Sequence, residues 1–207
     1  QKISPQATVR LSCNILWHVD WLNVIGFDLR GRWNGRAGVH SPLYGKASDT
    51  DDVKGLNAAD GLKKLVGLGA PKKKLVLGIP FFGRSFVLED KNQHGIGAPT
   101  TQSSPIPGPY VGSVEIMAYY EICTNIADGV ATRVFDNETK CPYAYYDDQW
   151  VGYEDEESIG IKTDFIIKEG YAGVMVFNND MDDFQSFCGT SNPLLKKIYE
   201  KLAEADV

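Results

Sequence analysis

The chain has 207 residues, of which 43% are hydrophobic and 11% aromatic, which describes a globular protein and excludes a disordered one. A formal net charge of -6 argues against nucleic acid as a partner, since phosphate binding needs concentrated Lys and Arg. No run approaches 18 consecutive apolar residues, so no membrane span or membrane partner is expected, and the start QKISPQATVR shows no secretory leader.

In chain order, the first strong strand signal is 21–28 (WLNVIGFD), a nearly continuous apolar run of the kind buried on both faces. It enters a Gly-rich loop that ends at Ser41-Pro42. An amphipathic helix is predicted over 56–68, with Leu62, Leu65, Val66 and Leu68 on one side and Gly69 and Pro71 as its stop. The Lys72-Lys73-Lys74 run reads as a solvated element end, and 74–80 (KLVLGIP) as a second buried strand. Gly- and Pro-rich loops follow, with a helix expected over 114–123 and short aromatic strands at 133–135 and 143–146. A helix over 155–168, a strand over 171–177 and a helix over 192–205 complete the chain. Strand and helix alternation at this spacing implies a parallel sheet with crossover helices.

The four cysteines, Cys13, Cys123, Cys141 and Cys188, have no C-x-x-C spacing and therefore no zinc or thioredoxin-type signature. The scattered His18, His40 and His94 make no ligand set, and Asp180, Asp182 and Asp183 read as a solvated or helix-capping face. No metal and no cofactor are expected. Asn137-Glu138-Thr139 fits an N-glycosylation sequon at Asn137 and, with the cysteines, leans towards an extracellular, secreted protein.

Five blocks carry a family resemblance: 19–44 (VDWLNVIGFDLRGRWNGRAGVHSPLY), 74–86 (KLVLGIPFFGRSF), 107–123 (PGPYVGSVEIMAYYEIC), 140–159 (KCPYAYYDDQWVGYEDEESI) and 170–184 (GYAGVMVFNNDMDDF). In this order they resemble the C-terminal half of a family 18 glycoside hydrolase, an arthropod-type chitinase or chitinase-like protein. The resemblance implies an α/β chain forming a partial (βα)8 TIM barrel, strands six to eight, with an α+β chitinase insertion domain. On that division, 1–85 carries strands six and seven, 86–150 the insertion, and 151–207 strand eight with the final helices. Since a full barrel takes about 250 residues, the remaining sheet edges need another partner, such as the missing N-terminal half.

Family hydrolysis is substrate-assisted: a glutamic acid protonates the glycosidic oxygen and the sugar's N-acetyl oxygen attacks the anomeric carbon. That acid ends a D-x-x-D-x-D-x-E motif, which occurs nowhere in this chain, so no catalytic residue is expected here. The resemblance places Asp28, Trp33, Arg84 and Glu121 in the sugar cleft. Phe27 and Phe82 stand where the family has tyrosines, and Phe177 where it has a tryptophan. Each Tyr-to-Phe change removes a hydroxyl donor, and one lost transition-state donor costs about 10²–10³ in rate. Trp150, with Trp33, Phe82 and Phe177, completes the aromatic set expected to contact sugar. A Cys123–Cys188 disulfide is also implied. The expected function is chitin or chito-oligosaccharide binding with weak or no hydrolysis. A fragment of an active endochitinase and a secreted signalling or immune-recognition protein remain as alternatives.

Overall fold

A computed structural model describes residues 18–205, so Cys13 lies outside the described residues. Three strands, β1 (Leu22–Ile25), β2 (Leu75–Pro80) and β8 (Gly173–Phe177), form a parallel sheet in the order β1-β2-β8. Leu22 pairs with Leu75, and Pro80 with Phe177. One face of this sheet is apolar and covered. Leu75, Leu77 and Ile79 share a core with Leu62 of α1 (Ala58–Gly67), Ile159 and Ile166 of α3 (Glu156–Glu169), and Leu194 and Ile198 of α4 (Pro193–Ala205). Burying each such side chain contributes about 1.5–3 kcal/mol.

The other face is open. The 21–28 run was expected to be buried on both sides, but β1 alternates: Leu22 and Val24 lean into the core while Asn23 and Ile25 are exposed, Ile25 to 62%. Among the described residues only one layer of helices covers the sheet, and no strand pairs with the outer edge of β1 or β8.

The helices begin and end where local chemistry dictates. The Asn57 side chain accepts from the Asp60 amide (2.9 Å) and caps α1. Gly69, at φ +96, lets the chain leave the helix before Pro71. Asp155 caps α3 by accepting from the Ser158 amide (3.0 Å). The Lys72 end of the basic run is paired with Glu169 (2.8 Å).

After β2 the chain passes through Phe81 into β3 (Phe82–Val87), which belongs to a second, antiparallel sheet. Its other strands are β4 (Ile116–Ala118), β5 (Thr132–Asp136), β6 (Cys141–Tyr146) and β7 (Gln149–Gly152), in the order β4-β3-β7-β6-β5. Phe86, Tyr143 and Trp150 fill a separate small core with Val39 and Leu88. Trp150 is therefore corrected from a sugar-contacting aromatic to a core residue, 1% exposed, with its indole N–H donating to the His94 carbonyl (3.0 Å).

The helix expected over 114–123 is also corrected. Residues Ile116–Ala118 form β4 on β3, and α2 (Tyr119–Ala127) starts only afterwards. The Tyr119 amide donates to the Phe81 carbonyl (3.1 Å), pinning this segment to the strand junction in a long-range pairing that local periodicity does not show.

Cys123 and Cys188 form a disulfide between α2 and the loop before α4. Asp182 and Asp183 are fully buried, so of the two readings of this acidic run the solvated one fails for both and the helix-capping one holds for Asp182. Asp182 accepts from the Leu194 and Leu195 amides at the start of α4 (3.3 and 2.9 Å), and Asp183 from those of Phe187 and Cys188 (both 2.8 Å). Asp183 also lies near both cysteine sulfurs, but these are consumed by the disulfide and offer no thiolate to a metal. Among the described residues no helix is long and apolar enough to cross a membrane.

A buried ion pair joins these pieces. Lys162 of α3 contacts Glu154, and its ammonium also donates to the Ser41 carbonyl (2.6 Å) and the Cys141 sulfur (3.3 Å). Burial pushes the Cys141 thiol up to about 12, so it remains protonated. Replacing Lys162 with Met should lower stability by about 3–5 kcal/mol by leaving Glu154 as an unpaired buried charge, and adding Glu154→Leu should recover most of that loss. Urea unfolding measures both; equal losses in the single and double variants would contradict this account.

Candidate functional site

The ends of β1, β2 and β8 bring together residues far apart in sequence. After β1 the chain bends tightly over its neighbour: the Gly26 amide donates to the Gly78 carbonyl (3.2 Å), and a Cβ at Gly26 would lie 2.7 Å from that oxygen. Only glycine fits this approach. Gly78 in turn makes room for Phe27, whose ring edge would be 3.2 Å from a Cβ there.

The bend places Phe27 on Phe177, stacked at 5.5 Å between ring centroids, with Phe82 edge-on to Phe27 at 5.8 Å. Phe27 and Phe82 are buried, whereas Phe177 is 49% exposed and presents the free aromatic surface. The Phe177–Asn178 peptide is cis.

Beside the rings lies a charged group of three. Arg84 of β3 donates through Nε to Asp28 Oδ1 (2.7 Å) and reaches Glu115 at 3.4 Å. Its guanidinium also lies 5.3 Å from the Trp33 ring centroid, within cation–π range. Trp33 is 62% exposed and lies against Gly31, where any side chain would collide with the indole. Burial by itself would raise the Asp28 carboxyl, but the His40 ring and Arg84 outweigh it and hold the group well below the usual carboxylate range. The resulting surface has two exposed aromatic rings and a persistent carboxylate–guanidinium pair, suited to a neutral, hydroxylated ligand with apolar ring faces.

Of the residues expected in the cleft, Phe27, Asp28, Trp33, Phe82, Arg84 and Phe177 do come together. Glu121 does not. It is buried, and its carboxylate accepts from the Tyr110, Val111 and Ala118 amides (2.8, 2.9 and 2.9 Å), holding the loop before α2. That role needs a folded loop around it, which a motif match does not display. Sequence reading also missed Glu115 and His40. Glu115 precedes β4, next to the Ile116 that pairs with Arg84, and only the β3–β4 register reveals it. Asn137 is exposed in the β5–β6 turn, while Thr139 is buried and donates its hydroxyl hydrogen to Asp136 (2.8 Å).

Because the native Asp28 carboxyl titrates below its unfolded value, the stability it adds is present above the unfolded pKa of about 4 and is lost as pH falls. Arg84→Ala should move the Asp28 titration upward, observed by carboxyl-carbon NMR. No movement would mean that Arg84 does not hold the charge.

Residues 10–182 match the sequence model of Glycosyl hydrolases family 18. An endochitinase of Manduca sexta is 44% identical over 194 residues, covering 91% of this chain and 35% of that protein. The Group IV chitinase of Ostrinia furnacalis, solved with allosamidin, superposes with a TM-score of 0.88 at 29% identity, over 94% of this chain and 53% of that one. Human YKL-39, described as a pseudo-chitinase with retained chitooligosaccharide binding, superposes with a TM-score of 0.88 at 29% identity, over 96% and 55%. The chain thus spans about a third of the length of its curated relatives and about half that of the solved ones.

Proposed function

The chain belongs to glycosyl hydrolase family 18, and from that premise we propose that it binds chitin or chito-oligosaccharides with weak or no hydrolysis. The carrying observation is the phenylalanine cluster: Phe27, Phe82 and Phe177 pack around one point and bring aromatic surface but no hydroxyl or indole N–H. The exposed faces of Phe177 and Trp33 receive sugar rings, and the Asp28–Arg84 pair accepts from and donates to their hydroxyl and acetamide groups. A transition state in which the acetamide develops charge needs donors that these rings lack. Glu121 serves as a loop anchor.

Within this reading β1, β2 and β8 are barrel strands six, seven and eight, residues 86–150 are the insertion domain, whose sheet extends back to Phe82 and on to Gly152, and the rest of 1–85 and 151–207 are barrel segments. An N-terminal barrel half completes the open sheet edges. The disulfide and the exposed Asn137 suit an extracellular, glycosylated protein. The 44% identity to the Manduca endochitinase favours a second reading, in which the chain is part of a working hydrolase whose acid lies upstream.

Chitohexaose titrated against tryptophan fluorescence should quench or shift the Trp33 signal, and Phe177→Ala should weaken binding about tenfold. Asp28→Ala should weaken it more than Asp182→Ala, whose main effect is lost stability. No fluorescence change at about millimolar sugar, roughly the weak end of measurable affinity, would exclude sugar binding. Rapid chitohexaose cleavage by the protein with its upstream half would decide for the second reading.

A further inference from the structure

His40 is fully buried, yet no part of the proposed sugar surface requires a histidine there. Its ring packs against Phe82 at 4.9 Å between centroids. On one side Nε2 lies 3.1 Å from the Phe82 carbonyl oxygen, which can only accept, so Nε2 carries a proton. On the other side Nδ1 lies 3.3 Å from the Asp28 amide nitrogen, which can only donate. Nδ1 also lies 3.4 Å from Asp28 Oδ1, so the ring faces both the main chain and the side chain of Asp28 while Nε2–H holds the Phe82 carbonyl. The main chain of the same residue adds a further tie, because the Leu29 amide donates to the His40 carbonyl (2.9 Å).

Asp28 needs such a hold. Its φ of +57 lies in the left-handed region that L-residues enter only when their surroundings compel it. This twist aims the carboxylate at Arg84 rather than along the strand. A ring fixed between β3 and the loop after β1 therefore sets the direction of the acidic group.

We infer that His40 is a positioning residue: its ring reads the Phe82 carbonyl with Nε2–H and both the amide and the carboxylate of Asp28 with Nδ1, and so holds Asp28 in the left-handed turn from which it meets sugar. The inference rests on the sugar-binding reading for its consequence but not for its geometry.

The two ring nitrogens can be imitated separately. In His40→Asn the amide oxygen stands near the Nδ1 position and keeps the bond to Asp28, while in His40→Gln the amide nitrogen stands near Nε2 and keeps only the bond to Phe82. His40→Leu keeps neither. Chitohexaose affinity should fall about tenfold in the Leu and Gln variants and stay within about threefold in the Asn variant. Thermal unfolding, followed in parallel, should rank the variants differently from affinity. Gln retaining affinity while Asn loses it, or affinity tracking stability across all three, would overturn the assignment. Long-range ¹H–¹⁵N NMR of the sugar-free, unmodified chain at neutral pH reads the geometry independently: a protonated Nε2 supports it, and a bare Nε2 overturns it. If the unmodified chain fails to bind chitohexaose, the sugar reading falls and the NMR result still decides the role of His40.

Discussion

The buried Lys162–Glu154 ion pair constrains how the pieces of the molecule fit together. Removing two charges from water carries a penalty of several kcal/mol per ion, so the partners and their remaining hydrogen bonds must coincide. Here they converge from four segments: Lys162 on α3, Glu154 after β7, Cys141 on β6, and the Ser41 carbonyl in the loop after β1. A slip of α3 by one residue would carry the ammonium away from Glu154. The pair therefore locks the helix layer of the parallel sheet to the antiparallel sheet, and it fixes residue 41 beside His40. The cleft geometry inherits that registration.

Two glycines translate this frame into a binding surface. Gly26 lets the chain cross β2 at contact distance, and Gly78 leaves the space that Phe27 fills. Phe27 is held from below by that fit and from the side by Phe82, leaving Phe177 as the ring with an open face. The charged groups are arranged differently: Arg84 touches Asp28, Glu115 and Trp33 together, so one guanidinium orients two carboxylates and an indole. The parallel sheet supplies Phe177 and leads into Phe27 and Asp28, and the antiparallel sheet supplies Phe82 and Arg84. They meet at Phe81 and Phe82, where the chain changes sheets.

Much of this was legible in the sequence wherever local signals and tertiary structure agree. The 74–80 run becomes β2, and the expected helix over 56–68 becomes α1 with an Asn57 cap and a glycine exit. The residues that come together at the strand ends were singled out through motif order, because Asp28, Arg84 and Phe177 lie on three segments that no local pattern links. The errors have physical causes. Residues Ile116–Ala118 join a sheet because β3 offers an edge, overriding a helical pattern. Trp150 points into a second core that composition alone cannot separate from the first. For Asp182 and Asp183 a solvated face and a helix cap both stood open; the amides at the start of α4 decide for the cap at Asp182, and those in the disulfide loop draw Asp183 inside. His40 was set aside with the other scattered histidines because a lone histidine has no pattern until both of its nitrogens have partners.

The disulfide has a covalent consequence as well as a geometric one. Cys123 and Cys188 enclose β5, β6, β7, α3 and β8 in one ring of main chain with a sequence separation of 65. A single cut inside that ring, for instance in the exposed turn at Asn137, opens the loop but releases nothing. Both pieces remain one molecule, aligned through the Lys162–Glu154 contact, until the sulfur link is reduced. Proteolytic nicking and loss of the site are thereby made separate events, and the second depends on the redox state of the surroundings.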